Sequence, residues 1–273
     1  MITRQARHWK YRLKALKDRV DWRIRKSRYE SCFFYTFHKC ASTLFSSFLL
    51  KNIVGLRHVD YAKQIYLGES FGDIQFDRTG FVYGPIRISS GPKAPVFELL
   101  VEPTCGSEFI RDKIALFLIR DPRDILVSAY YSFGFTHGLS KSEKIRELQL
   151  QDRNKIQTKT LDEYALKTAC NILQHYETVD RLTNVCNRSI VLKYEDMIYN
   201  WDLFVNDLTK YITIKEPTLA QLFEASRPRD KENIRNHRRS GRPYGFKSKF
   251  KEETLISLNE IFKNTLSKFH YVV

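Results

Sequence analysis

Ala115-Leu116-Phe117-Leu118-Ile119-Arg120-Asp121-Pro122-Arg123-Asp124-Ile125-Leu126-Val127-Ser128 decides the fold. Apolar residues run without a break from Ala115 to Ile119, the pattern of a strand covered on both faces in a parallel sheet. The strand then ends in Arg120 and turns at once into a helix. Asp121 suits the N-cap, Pro122 the first turn, and Asp124 completes a spacing like that of a capping box. Arg120 leaves the strand tip, and Ser128 lies about two turns down the helix, on the face shared with Asp121 and Asp124. A guanidinium and a hydroxyl can thus converge on one anion. Taken alone, the stretch is equally a plain strand and helix whose arginine pairs with a surface acid.

A second strand and turn favours the anion. Ser31 to Phe37 is an aromatic-rich β segment, followed by His38-Lys39-Cys40-Ala41-Ser42-Thr43-Leu44 and an apolar helix through Leu50. A strand, a short loop with lysine and Ser-Thr opening a helix form the layout of a phosphate-binding loop. Backbone N–H groups and the helix N-terminus face the anion, and the lysine adds a full charge. The two glycines that a Walker loop places ahead of Gly-Lys-Ser/Thr are missing. That disfavours an ordinary nucleotide kinase or ATPase.

Together these segments resemble the sulfotransferases that use 3'-phosphoadenosine 5'-phosphosulfate (PAPS). Phe37-His38-Lys39-Cys40-Ala41-Ser42-Thr43 is similar to the family's first signature, Tyr-Pro-Lys-Ser-Gly-Thr-Thr. Arg120, Asp121, Pro122, Asp124 and Ser128 match the second. Val191-Leu192-Lys193-Tyr194-Glu195-Asp196-Met197 is similar to the family's strand ending in Tyr-Glu-Asp. Arg239-Ser240-Gly241, followed by Phe246-Lys247 and Phe250, matches a loop of form Arg-Lys-Gly, then an aromatic-Lys pair, then Phe. All four occur in the family's order.

The resemblance implies an α/β fold: a central parallel sheet flanked by helices, in a three-layer arrangement like that of P-loop NTPases, with ligand at the carboxyl ends of the strands. It implies sulfuryl transfer from PAPS to a hydroxyl or amine, with no metal. Lys39, Cys40, Ala41, Ser42, Thr43 and Leu44 would hold the phosphosulfate, and Lys39 would stabilise the leaving oxygen. Arg120 and Ser128 would hold the 3'-phosphate, closed over by Arg238, Arg239, Ser240 and Gly241, with Arg235 assisting. Arginine forks suit phosphate bidentately, each charged bond being worth roughly 1.5 to 3 kcal/mol.

The departures matter too. Ala41 stands where the family has glycine, so a Cβ meets the close backbone approach. His38 replaces proline, and Leu44 replaces the tryptophan that stacks on adenine in the cytosolic animal enzymes. Tyr194, Phe223 or Phe246 would then support adenine. Candidates for the base are His38, His58, Glu69, Glu98 and Glu102; a histidine near neutral pKa fits that task. For His38 the structural alternative is a hydrogen bond to its own loop.

Composition bounds the rest. The 273 residues, 42% hydrophobic, suffice for one substantial core. The net charge of +15 is local: residues 1–28 carry +9, residues 227–251 carry +8, and the remainder −2. We read residues 1–28 as a basic arm and 29–273 as the sulfotransferase domain. In the arm Trp9, Leu13, Leu16, Val20 and Ile24 recur at helical spacing, which suits an anionic membrane surface, an acidic glycan, another subunit or the domain itself. No apolar run reaches about 18 residues and no signal peptide is evident, so the expected location is the cytoplasm, with peripheral membrane contact through the arm. The five cysteines form no C-x-x-C pair and are expected to be reduced; Cys40, in the anion loop, is a candidate reactive thiol. Thr79 to Ile88 reads as a strand, Ser140 to Thr160 as a loop or helix over the acceptor cleft, and Leu161 to Leu182 and Leu255 to Phe269 as helices. The compact length and the His-Lys loop resemble bacterial-type enzymes of glycans or glycolipids. A kinase-like nucleotide binder and a basic nucleic-acid-binding protein are the alternatives, though no zinc spacing, RNP motif or helix-turn-helix signature supports the second.

Overall fold

The computed structural model describes residues 28–60, 76–88, 109–140, 143–229 and 241–272, without the side chains of 144 and 145. The basic arm up to residue 27 and the Ser89 to Pro95 loop lie outside them. The apolar run becomes strand β4, Ile114–Ile119, every residue of which is buried. Its burial follows from its place. It pairs in parallel with β1 (Cys32–Thr36) on one side, from Cys32↔Ile114 to Thr36↔Leu118, and with β5 (Arg188–Lys193) on the other. On the far side of β1 lie β3 (Phe81–Arg87) and β2 (Arg57–Val59), giving the all-parallel order β2-β3-β1-β4-β5.

Residues of β1 alternate between the two faces, as the pleat requires. Phe34 stacks on Phe45 at 5.0 Å, whereas Tyr35 stacks on Phe117 and Phe37 meets Tyr176 at 4.7 Å. Two helix groups cover the sheet. Helix α1 (Ser42–Leu44) continues as a π-turn, Phe45–Leu49, and a 3-10 turn, Leu50–Asn52; helix α7 (Thr218–Ser226) packs on it. In the other group, α4 (Leu161–Val185) packs against α2 (Pro122–Tyr131) and α8 (Glu252–Lys268). Helix α4 opens with a capping box between Thr160 and Glu163. Helix α3, Glu143–Gln157, fills the polar stretch expected to be a loop or helix, and lies against the Ser132–Thr136 π-turn that prolongs α2. After β5 the chain turns directly into α5 (Tyr194–Tyr199), so Tyr194 opens a helix; α6 (Trp201–Thr209) then packs on β5.

Because Leu116 in β4 is fully buried, Leu116→Ala should lower the unfolding free energy by about 2 to 5 kcal/mol. Urea unfolding with an unchanged m-value would show this as a lower midpoint. A loss below about 1 kcal/mol would contradict the central place of β4.

Candidate functional site

The carboxyl ends of β3, β1 and β4 stand side by side at the centre of the sheet, where ligands of open α/β folds bind. Register puts Thr36 beside both Arg87 and Leu118. The chain leaves these three tips as Arg87-Ile88, Phe37-His38-Lys39 and Arg120-Asp121. Thr36 fastens the central pair, its Oγ1 donating to the Leu118 carbonyl at 3.0 Å.

The loop after β1 is bent sharply. Lys39 and Ala41 both adopt positive φ, 72° and 59°. Each left-handed residue without glycine's freedom costs roughly 1 to 2 kcal/mol, and such turns direct successive backbone N–H groups into an anion-binding hollow. Ala41 thus keeps the conformation for which glycine is the ordinary choice. Ser42 is buried as the first helical residue, Thr43 is exposed, and Leu44 packs at the core's margin. Cys40 is fully buried, and burial pushes its thiol well above the ordinary value. That corrects the expectation of a reactive cysteine, since the thiolate is the nucleophile. The Lys39 ammonium donates to Ser132 Oγ at 2.8 Å, where α2 passes into its π-turn.

Arg120 reaches across to this loop. Its Nη1 donates to the Lys39 carbonyl at 3.2 Å, its Nη2 to Asp124 Oδ2 at 3.4 Å, and its guanidinium lies 4.4 Å from the centre of the Tyr194 ring. Nε of Arg120 is buried without a hydrogen-bond partner among the described residues. Burial works against the Arg120 charge, but Asp124, Tyr194 and Glu195 outweigh it and hold its pKa above the ordinary value. Arg120 and Ser128 form no hydrogen bond with each other; Ser128 is half-buried along α2.

Below Arg120 is a buried acidic network that the sequence disclosed only in part. Asp121 caps α2 as expected, accepting from the Arg123 backbone N–H at 2.9 Å, and also pairs with the Arg123 guanidinium at 2.7 Å. Arg123 also donates to Asn259 and the Val272 carbonyl and lies over Phe246. Asp124 does not serve a capping box. Its carboxylate accepts from the backbone N–H groups of Tyr244 at 2.7 Å and Phe246 at 3.1 Å, holding the C-terminal segment against α2. Those partners lie about 120 residues away, so no local spacing could reveal them. Glu195 accepts from the Asp121 N–H at 2.9 Å and from the Tyr271 hydroxyl. Burial raises its pKa to about 7.

Tyr194 donates to the Gly241 carbonyl at 2.6 Å. With Arg120 on its ring and 6% of its surface exposed, it supports the arginine from below and offers little face for a base. Phe246 is likewise buried, beneath Arg123. Phe223 differs: half-buried, it lines an open cavity of about 470 Å³ with Met197, Tyr199, Ser226, Arg227 and Arg242. Arg235, Arg238, Arg239 and Ser240 lie outside the described residues, as do Glu69, Glu98 and Glu102. His58 is engaged at the sheet edge, with Nε2 at 2.7 Å from the Gly84 carbonyl. His38 is exposed on its outer side, with its ring edge-on to Phe133. Surrounding protein first, then Arg87, His137 and Lys39, push its pKa well below the ordinary value.

No protein-family model matches the chain, and no curated protein matches it in sequence. Among solved structures it is similar to mouse sulfotransferase SULT7A1 complexed with PAP, at 12% identity and a TM-score of 0.55, over 87% of this chain and 84% of that one. It also matches retinol dehydratase in complex with androsterone and inactive cofactor PAP, at 17% identity and a TM-score of 0.43, over 86% and 80%. The first likeness establishes the fold: a five-stranded parallel sheet flanked by helices, the P-loop-like α/β fold of sulfotransferases.

Glu195 makes stability depend on pH. Its folded value of about 7 exceeds the ordinary 4.5, so its contribution is complete below pH 4.5 and is lost as pH rises through 7. The loss is about 3 kcal/mol. His38 and His175, whose pKa values are held down by burial, gain stability over the same range in both proteins, so the test is a difference. Glu195→Gln keeps an acceptor for the Asp121 N–H and should make the change in unfolding free energy from pH 5 to pH 8, measured in urea, more favourable than in the native chain by about that amount. An identical change in the two proteins would place the effect elsewhere.

Proposed function

We propose that the chain is a sulfotransferase that moves a sulfuryl group from PAPS to a hydroxyl or amine, on a carbohydrate or glycolipid. One observation carries this reading: the buried, unpartnered Nε of Arg120 beside the Lys39 loop. A buried donor left unsatisfied costs about 1 to 3 kcal/mol. An anion reaching Arg120 would remove that cost, and a second anionic group one loop away would meet Lys39 and the N–H groups from Cys40 to Leu44. Two anion sockets side by side suit a nucleotide carrying a 3'-phosphate at one end and a phosphosulfate at the other.

In this scheme Arg120 and Ser128 hold the 3'-phosphate, with Arg238, Arg239, Ser240 and Gly241 as its further partners. Adenine rests on Phe223, which lines the open cavity, with the Arg227 guanidinium 4.6 Å from its ring centre as a second stacking partner. When bound, the donor supplies a sulfuryl group already joined to a phosphate leaving group. Transfer breaks the sulfur–oxygen bond to that phosphate and forms one to the acceptor oxygen or nitrogen, while the acceptor's proton passes to a base. Lys39, released from Ser132, neutralises the departing phosphate oxygen. His38, one residue away and neutral at pH 7, is the proton acceptor within reach of the loop. We assign these roles to residues 29–273 and surface contact to the basic arm, residues 1–28. No described helix is long and apolar enough to cross a membrane.

Calorimetric titration with 3'-phosphoadenosine 5'-phosphate (PAP), ATP and duplex DNA separates the alternatives. PAP should bind the chain tightly and alone. Arg120→Ala, checked for folding by thermal unfolding, should weaken PAP binding at least about ten-fold, as loss of a charged bond requires. Preference for ATP would support a kinase-like binder, and preference for DNA a nucleic-acid-binding protein. For the arm, removing residues 1–28 should abolish sedimentation with vesicles containing phosphatidylserine; unchanged sedimentation would reject the membrane role.

A further inference from the structure

The strand order sets a direction across the site. Arg120 marks the β4 side of the Lys39 loop, and Arg87, the last residue of β3, marks the opposite side. Arg87 is half-buried, and its side chain forms no hydrogen bond or ion pair with any described residue. Burial lowers its pKa, and the charge of Asp60 only partly opposes that. Among the described residues, only the charge of Asp60 offsets what this guanidinium loses in leaving water, so an oxyanion, which it can grip bidentately, suits it.

Its surroundings share that sign. After desolvation, Arg87 is the strongest influence on His38, ahead of His137, Lys39 and His175. His137 is placed by ring contact with Phe133, which also meets His38, and its carbonyl accepts from Arg153. His175 packs on Phe37. Among the described residues, Asp60 is the acid that figures among the charges acting on Arg87 and His38. We propose that Arg87, with His38 beside it, forms an anion subsite on the acceptor side of Lys39, and that the acceptor is an anionic alcohol carrying a carboxylate, sulfate or phosphate near the accepting hydroxyl. The inference rests on the nucleotide reading above, which sets the donor on the Arg120 side. His38 then faces the acceptor hydroxyl while Arg87 holds the neighbouring anion.

The full chain, saturated with PAP, is titrated with glucose, glucuronate, glucose 6-sulfate and glucose 6-phosphate. At least one anion should bind about ten-fold more tightly than glucose, the gain of one charged bond. The three acids distinguish which oxyanion the subsite takes. Arg87→Gln should abolish the preference while leaving PAP affinity within about two-fold, because Arg87 lies outside the nucleotide sockets. Arg87→Lys, a point charge without the fork, should retain part of it. Equal binding of glucose and all three acids by the native chain, or an undiminished preference in Arg87→Gln, overturns the subsite. Should Arg87→Gln fail to fold, loss of the native preference in 0.5 M rather than about 0.05 M salt serves as the second measure, and a preference indifferent to salt overturns the subsite. Failure of the native chain to bind PAP would instead remove the nucleotide reading.

Discussion

The buried carboxylate of Asp124 is the constraint on which the site depends. A carboxylate taken out of water costs several kcal/mol unless its oxygens are met by donors of good geometry. Asp124 meets that demand from three directions at once: Arg120 from the tip of β4, and the N–H groups of Tyr244 and Phe246 from a segment about 120 residues later. Satisfying one charge thus aims Arg120 and docks the C-terminal segment. The start of α2 is therefore a junction where strand tip, helix and distant loop are fixed together. Loss of any one donor would leave the other two holding an incompletely compensated ion.

Two arginines three residues apart show how environment divides one residue type between structure and binding. Arg123 engages all three of its guanidinium nitrogens with Asp121, Asn259 and the Val272 carbonyl, with Phe246 beneath it, and so serves the fold. Arg120 has only a long bond to Asp124, a carbonyl and a ring, and keeps Nε unmet. Glu195 lies between the two tasks. It braces the backbone of Asp121, and its raised pKa lets the cluster shed one negative charge near neutrality. An acid that ionised readily here would compete with an incoming anion for the field of Arg120.

The sheet and its two loops were legible because their signals are local. An unbroken apolar run can only be a doubly covered strand or a buried helix, and its short length with Asp121-Pro122 behind it selects the strand. Lysine ahead of Ser-Thr after an aromatic strand marked the first loop in the same way. What could not be read are the contacts made by folding. Asp124 looked like a capping residue because the sequence holds no trace of Tyr244 beside it. Tyr194 looked like a surface for adenine because nothing local says that Arg120 covers its ring. Cys40 looked reactive from its loop, whereas its burial depends on β1 and its neighbours. Arg87 carried no motif at all; only the pairing of Thr36 with both Arg87 and Leu118 brings it to the site.

The loop after β1 carries backbone strain. Five residues join Thr36 at the end of β1 to Ser42 at the start of α1, and the two left-handed residues among them, Lys39 and Ala41, make the reversal. Glycine at position 41 would relieve the bend but would also loosen the hollow in the ligand-free chain, since glycine explores far more backbone conformations. Alanine narrows the choice. The hollow is shaped by Lys39 and Ala41, at a cost of roughly 1 to 2 kcal/mol for each left-handed residue. An anion bound there meets N–H groups that need no further ordering, so the strain accepted on folding reduces the entropy lost on binding.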